Sequence, residues 1–347
     1  MLFSKILIRW YSNNKRKLPW RETREPYYIW LSEIILQQTQ VKQGLPYYES
    51  FVKHFPTVFD LANAHENEVL KLWQGLGYYS RARNLHATAK YVVAELQGQF
   101  PDTYNGLLKL KGVGDYTASA IASICFNEPA AVVDGNVYRV LSRYYGLDTP
   151  INSTTGKKQF KELAQEVMDR DDPATYNQAI MEFGARQCRP QNPDCSVCPL
   201  QTSCLAFEKD LIKELPVKLK LQKIKKKHFN FLVIQSFDRK TILEQRQGKG
   251  IWQNLYQFPL FETKTEATQE LVLNYVKQSN LGVNGLLDVT IYNDEDIVHK
   301  LSHQHLYTRF WIVRVEALTV KGISIERLRD YPVPILIGNF IERFNFD

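Results

Sequence analysis

Apolar positions recur at helical spacing up to about residue 215 and alternate in strand-like fashion from Phe229 onward. Residues 1–55 read as helices. Leu2, Phe3, Ile6, Leu7 and Trp10 form one amphipathic face, Leu18-Pro19-Trp20-Arg21 a turn, and Pro26 opens a strongly helical run from Tyr27 to Val41. Gly75 and Gly77 break a helix ahead of two exposed-looking tyrosines, Tyr78 and Tyr79, and two arginines, Arg81 and Arg83. Leu107, Leu108 and Leu110 end a short apolar helix, Gly112-Val113-Gly114 turns, and Tyr116-Thr117-Ala118 opens a second one. Residues 156–187 are again helical. Beyond them, Phe229–Ile234 is a strand, Phe237–Lys240 a turn and Thr241–Arg246 a returning strand. Gly248–Trp252 is a loop, Thr263–Ser279 a helix and Phe310–Val315 another strand. That half is an α+β domain with an antiparallel sheet.

A chain of 347 residues exceeds one typical domain, and 44% hydrophobic residues suffice for two cores. The boundary falls at Pro216–His228, which carries six lysines and no acid and reads as an extended linker able to lie along a DNA backbone. The expected division is therefore 1–215, linker 216–228, and 229–347. A net charge of +7 favours an anionic partner. No apolar run is long enough to cross a bilayer, and Lys5 and Arg9 interrupt any signal peptide, which places the chain in the cytoplasm, at the nucleoid if the source is bacterial. Cys125 sits alone in an apolar helix and reads as core. The other cysteines form Cys188-x6-Cys195-x2-Cys198-x5-Cys204, a loop stiffened by Pro190, Pro193 and Pro199. Four thiolates so crowded point to a metal site, and spacing alone allows zinc or a 4Fe–4S cluster.

The hairpin through Gly112 and Gly114 aims the first amides of the next helix outward, a ready phosphate site with Thr117. Twenty residues on, Val132-Val133-Asp134-Gly135-Asn136 places a carboxylate straight after an apolar run. Glu33 has Ile29, Trp30, Leu36 and Gln37 as helical neighbours. A carboxyl there keeps its proton longer than in water, as a general acid requires; the alternative is an edge residue paired with a Lys or Arg. Gln37, Gln38 and Gln40 could read base edges. Tyr78 beside arginines suits a wedge holding a distorted duplex open. Ser302, His303 and His305 sit in a loop or turn, where they read a base edge or simply close the turn.

The hairpin followed by VDGNVYRV resembles the core of the helix-hairpin-helix DNA glycosylase superfamily. With Glu33, the glutamines, Asp134 and the cysteine loop in this order, the chain resembles the MutY family of adenine DNA glycosylases, closely over 18–205 and more loosely beyond 229. The resemblance implies a multidomain protein: an all-α six-helix barrel with an iron–sulfur cluster domain, and an α+β Nudix-like domain that recognises 8-oxoguanine. It implies Glu33 as the acid protonating adenine at N7 and Asp134 as the carboxylate stabilising the sugar cation, supported by Tyr116 and Asn136. Gln38 and Tyr78 match wedge residues, and Arg21 and Gln178 match contacts to the flipped adenine. Ser302 and His303 match the lesion-reading loop, and Cys188, Cys195, Cys198 and Cys204 match the 4Fe–4S ligands. The implied partner is double-stranded DNA with adenine opposite 8-oxoguanine or guanine, bound by a monomer with no membrane involved. Two departures stand out. Leu301 replaces the phenylalanine that precedes Ser-His, and no glutamate-rich Nudix box is present, so that domain is expected to bind without hydrolysing. Where related glycosylase–lyases carry a Schiff-base lysine after the hairpin, this chain has Tyr116, which implies a monofunctional enzyme. A bifunctional glycosylase–lyase and a non-catalytic lesion-binding protein are the rival readings.

Overall fold

The structure, a computed structural model, describes residues 2–219 and 224–346; part of the basic linker lies outside them. It divides into two compact units, Met1–Asn63 with Asn84–Lys220, and Ala64–Arg83 with Leu221–Asp347.

The helices run α1 (Leu2–Asn14), α2 (Pro26–Leu36), α3 (Val41–His54), α4 (Val58–Asn63), α5 (Glu66–Leu72), α6 (Ser80–Leu96), α7 (Tyr104–Leu107), α8 (Asp115–Phe126), α9 (Gly135–Tyr145), α10 (Thr154–Val167), α11 (Pro173–Arg186) and α12 (Leu205–Glu208). All but α5 and the first residues of α6 belong to the first unit. Helix α2 is its axis: Ile29, Trp30, Leu31, Ile34 and Ile35 are all buried, because α2 packs against both α3 and α8. Helix α11 packs on α1, α8 and α9. The boundaries follow local chemistry. Pro26 and Pro173 stand at first-turn positions, Asp134, Ser153 and Asp172 cap α9, α10 and α11, and Gly146 closes α9 at φ 65°.

One boundary departs from expectation. The helix expected to reach Val41 stops at Leu36, and Gln38 takes a left-handed φ of 54°. The chain turns there into α3, which brings Gln37–Gln40 to the rim of a cavity.

The second unit holds a mixed sheet, not an antiparallel one. Strand β1 (Lys225–Ser236) lies parallel to the long C-terminal strand Gln304–Leu318 and antiparallel to Leu260–Thr263. The expected returning strand 241–246 is broken, since its two short pieces, β2 (Lys240–Thr241) and β3 (Glu244–Gln245), pair with different partners. The remaining strands are β4 (Tyr256–Gln257), β5 (Leu260–Thr263), β6 (Val283–Ile291), β7 (Ile297–Lys300), β8 (Gln304–Leu318) and β9 (Ile323–Ser324), with helices α13 (Gln269–Gln278) and α14 (Ile335–Arg343). The expected helix Thr263–Ser279 is thus shorter, its start taken by β5 and a loop. Strand β1 is buried on both faces, which explains its continuous apolar run. Leu232 and Ile234 pack with Val272 and Val276 of α13, while Phe231 stacks on Phe310 and Phe310 on Phe340 of α14.

Two segments expected elsewhere are claimed by the units. Leu219 exchanges backbone–side-chain hydrogen bonds with Asn152 (2.8 and 3.0 Å), and Lys225–His228 are already strand, so the linker expected over 216–228 is shorter. Residues Ala64–Arg83 pack with the C-terminal residues: Asn254 Nδ2 donates to Glu66 Oε1 (2.6 Å), Lys71 Nζ to the Tyr331 carbonyl (3.3 Å), and Arg83 Nη1 to the Gln253 carbonyl (2.8 Å).

Candidate active site

The first unit encloses a cavity of about 1130 Å³. Helix α2 presents Glu33 to it, the start of α8 presents Gly114 and Tyr116, the start of α9 presents Asp134 and Asn136, and α11 presents Gln178. Four segments remote in sequence thus place six expected site residues around one cavity.

Glu33 is 7% exposed among apolar neighbours. Burial raises its carboxyl from the ordinary 4.5 to about 7, with a hydrogen bond from Tyr116 and the charge of Arg21 opposing and the negative charge of Asp134 adding to the rise. The Tyr116 hydroxyl, pushed well above its ordinary value by burial and by Glu33, also lies 3.2 Å from Met181 Sδ. Glu33 can therefore hold a proton near neutrality, facing a cavity large enough for a nucleobase.

Asp134 is the N-cap of α9. Its Oδ1 accepts from the amides of Asn136 and Val137 (both 2.8 Å), and Oδ2 accepts from Asn136 Nδ2 (2.7 Å). Burial pushes this carboxyl upward too, against those donors and the Arg139 charge. These three partners are all donors, and the helix dipole adds positive potential, so the hydrogen bonding favours the carboxylate against the effect of burial. The two carboxyls share one cavity, Glu33 with one hydrogen-bond donor and Asp134 with three.

Below them lies a network that the sequence reading missed. Glu182, one turn beyond Gln178 on α11, is fully enclosed and accepts from the Arg16 amide (3.0 Å), Arg16 Nε (2.8 Å), Arg16 Nη2 (2.6 Å) and Arg21 Nη2 (2.8 Å). Burial alone would raise the Glu182 carboxyl; the bonds from Arg16 and Arg21 overcome it and hold the group at about 2. Arg21 lines the cavity as expected, yet it is anchored by Glu182 and by the Arg16 carbonyl (3.1 Å). Tyr11 donates to Gln178 Oε1 at 2.7 Å. The signal for Glu182 was the same as for Glu33, an acid on a mostly apolar helix.

Arg139 is a second omission. It donates to Asn136 Oδ1 (2.9 Å), the Gly184 carbonyl (2.6 Å) and the Cys188 carbonyl (2.7 Å), fastening the Asp134 cap to the end of α11 and the cysteine loop. Arg143 donates to the carbonyls of Arg189 (2.7 Å) and Pro190 (3.0 Å) and reaches Cys188 Sγ at 3.5 Å. Cys188, Cys195, Cys198 and Cys204 are all free, half-buried thiols, and Cys125 is likewise unbonded. Burial raises Cys198 to about 11, and repulsion from Cys188, Cys195 and Cys204 adds to it, so the four sulfurs stand close enough to feel one another. Among the described residues no three His, Cys, Asp or Glu side chains converge on a point that a single ion could occupy.

The hairpin forms as expected, with Gly112 at φ 81° and Gly114 as the N-cap of α8. Thr117, however, is buried and its hydroxyl accepts from Gln37 Nε2 (3.2 Å), so only its amide is left for a phosphate. Gln38 lies exposed at the cavity rim.

Three expected residues belong to the second unit. Tyr78 is 49% exposed with a left-handed φ of 47°, whereas Tyr79 is buried, so one tyrosine is presented and not two. Arg81 is buried as well: it donates to the carbonyls of Leu76 (3.3 Å) and Gly77 (3.2 Å) and lies over the Trp73 and Tyr78 rings, holding the loop that carries Tyr78. Ser302 and His303 are exposed in the tight turn between β7 and β8, and the Lys225 amide donates to the His303 carbonyl (3.2 Å).

A hairpin-capped helix stands beside a cavity holding an acid and a capped aspartate, the arrangement expected of a helix-hairpin-helix base-excision glycosylase. Residues 31–169 match the HhH-GPD superfamily of base excision DNA repair proteins, and 230–343 match the NUDIX domain. A thermostable thymine-DNA glycosylase superposes with a TM-score of 0.56 at 30% identity, over 60% of this chain and 96% of that one. The adenine DNA glycosylase of Buchnera aphidicola (subsp. Baizongia pistaciae) is 36% identical over 90% of this chain and 86% of its own. The Homo sapiens adenine DNA glycosylase is 46% identical over 60% of this chain and 40% of its own. The chain belongs to the adenine DNA glycosylase family, and it is a DNA N-glycosylase of base excision repair.

Proposed function

We propose that the enzyme removes adenine opposite 8-oxoguanine, or guanine, from duplex DNA without cleaving the strand. The observation that carries this reading is the pairing of Glu33 and Asp134 on one cavity, the first buried with a single hydrogen-bond donor, Tyr116, and the second capped by three. Glu33 gives its proton to N7 of the flipped adenine. The C1′–N9 electron pair leaves with the base, the sugar becomes cationic, and Asp134 stabilises that cation until water adds at C1′. Tyr116 holds Glu33 in place, Asn136 holds Asp134, and Arg21 and Gln178 contact the base. Gly112, Gly114 and the Thr117 amide grip a phosphate, Gln38 and Tyr78 act as wedges, and Ser302 and His303 read the lesion.

Cys188, Cys195, Cys198 and Cys204 fit a 4Fe–4S cluster. Four neighbouring thiols whose thiolates would repel one another are a donor set that a cationic iron–sulfur core would neutralise. A cluster held by these four cysteines would cross-link the loop that Arg139 and Arg143 tie to α9.

The test is single-turnover base release from duplexes with adenine opposite 8-oxoguanine and opposite guanine, with borohydride present in a parallel sample. Base release without a trapped covalent adduct is expected. An adduct formed as efficiently as base release would make the enzyme a lyase, and no release from either duplex would make it a binding protein.

A further inference from the structure

The Gln178 amide can be seated in two ways, and its oxygen and nitrogen would make opposite demands on a base. Its partner, Tyr11, is 5% exposed and sits on α1 with the Arg21 guanidinium 5.4 Å above its ring. The hydroxyl needs an acceptor. The nearby Glu182 carboxylate has two oxygens, and both are filled: Oε1 takes the Arg16 amide and Nε, and Oε2 takes Arg16 Nη2 and Arg21 Nη2. Gln178 Oε1, at 2.7 Å, accepts from the Tyr11 hydroxyl. With the oxygen so engaged, Nε2 is the other end of the amide. Among the described residues it has no hydrogen-bond partner, and Gln178 lines the cavity.

We propose that Tyr11 is a positioning residue that locks the Gln178 amide with its NH2 toward the cavity, so that the site selects a base offering an unprotonated ring nitrogen there. This rests on the reading that Gln178 contacts the flipped adenine. Adenine offers N1 and N3 besides the N7 assigned to Glu33. Guanine carries hydrogen on N1, so an amide NH2 facing that atom meets a donor and rejects the base. With Glu182 saturated, Gln178 Oε1 is the acceptor that holds the Tyr11 proton among the described residues.

The experiment is single-turnover excision of adenine, 1-deazaadenine and 3-deazaadenine opposite 8-oxoguanine by the unaltered enzyme, Tyr11→Phe, Gln178→Leu and the double variant. The analogue-to-adenine rate ratio is compared between variants, so the intrinsic lability of each glycosidic bond cancels. Gln178→Leu is expected to raise the ratio for one analogue by roughly fivefold to tenfold, the worth of one hydrogen bond. Tyr11→Phe should raise the same ratio, and the double variant should go no further than Gln178→Leu. Gln178→Glu provides a check that leaves Tyr11 intact: it keeps an acceptor for the hydroxyl, lacks the NH2, and should lose the discrimination. Unchanged ratios in Tyr11→Phe, additive effects in the double variant, or full discrimination by Gln178→Glu would each overturn the assignment of Tyr11. Unchanged ratios in Gln178→Leu would instead sink the base contact beneath it, and absent adenine release by the unaltered enzyme would sink the proposed function itself.

Discussion

A buried carboxyl is costly to ionise, and Glu33 makes that cost visible in both activity and stability. With the group raised from 4.5 to about 7, excision should fall as pH rises through about 7, where the acid loses its proton. The stability sign follows from the same shift. Below 4.5 both folded and unfolded chains hold the proton and nothing is lost; from 4.5 upward the unfolded chain ionises freely, and above about 7 the folded one must carry the buried charge. Glu33→Gln should therefore raise folding stability at pH 8 by on the order of 3 kcal/mol and change it little at pH 4, as read by denaturant unfolding at the two pH values. Glu182 behaves oppositely. Held at about 2, it contributes stability above the ordinary 4.5 that is lost as pH falls from there toward 2. Glu182→Gln should cost about 3–5 kcal/mol at pH 7, since it strands Arg21, and the deficit should shrink in acid. At this scale the burial of Glu33 and the placement of Asp134 were legible, one from its apolar flanks, where an edge ion pair was the competing reading, and the other from its place after Val132-Val133; the roles proposed for them came from the family resemblance. The Arg16–Glu182 pair was not, because its members stand 166 positions apart and only packing of α1 on α11 brings them together.

Elements deliver these side chains through close approaches that leave no room for a methyl group. A Cβ on Gly184 of α11 would lie 2.6 Å from Asn136 Cβ and 2.9 Å from its carbonyl oxygen. Gly184→Ala should push α9 away and loosen the Asp134 cap, lowering the excision rate at least tenfold while duplex binding holds, measured by single turnover and by titration. Gly112 is constrained twice, by its φ of 81° and by Asn84 Cβ 2.8 Å from where its own Cβ would sit. Gly112→Ala should cost about 1–2 kcal/mol from backbone strain alone and weaken binding to any duplex, matched or mispaired. The hairpin was readable because glycines mark it. The turn after Leu36 was not, because Gln37-Gln38-Thr39-Gln40 contains neither glycine nor proline, and the left-handed residue is a glutamine. The broken strand over 241–246 was equally hidden, since its two halves find partners 82 and 13 residues further on (Thr241 with Ile323, Glu244 with Gln257).

Over the whole molecule, composition marked two domains, but it could not show that Ala64–Arg83 would join the second. The reason lies in tertiary partners, Glu66 with Asn254 and Arg83 with Gln253, that only the fold supplies. The same contacts assign the exposed Tyr78 to the body that carries Ser302 and His303. With a net charge of +7 and the phosphate grip proposed for the hairpin, duplex affinity should be salt-dependent, with log K falling linearly against log salt. The cysteine loop is held by Arg139 and Arg143 to the helix that Asp134 caps. Cys198→Ser should accordingly lower iron content, bleach the visible absorption band and reduce thermal stability. The account as a whole stands on Glu33 and Asp134 acting on the same base from one cavity. The most direct measurement is single-turnover adenine release from a duplex with adenine opposite 8-oxoguanine by Glu33→Gln and Asp134→Asn, with duplex affinity taken on the same samples. Each variant should lose at least about 10²–10⁴-fold in rate with affinity nearly unchanged; release at the unaltered rate by either one would contradict the account.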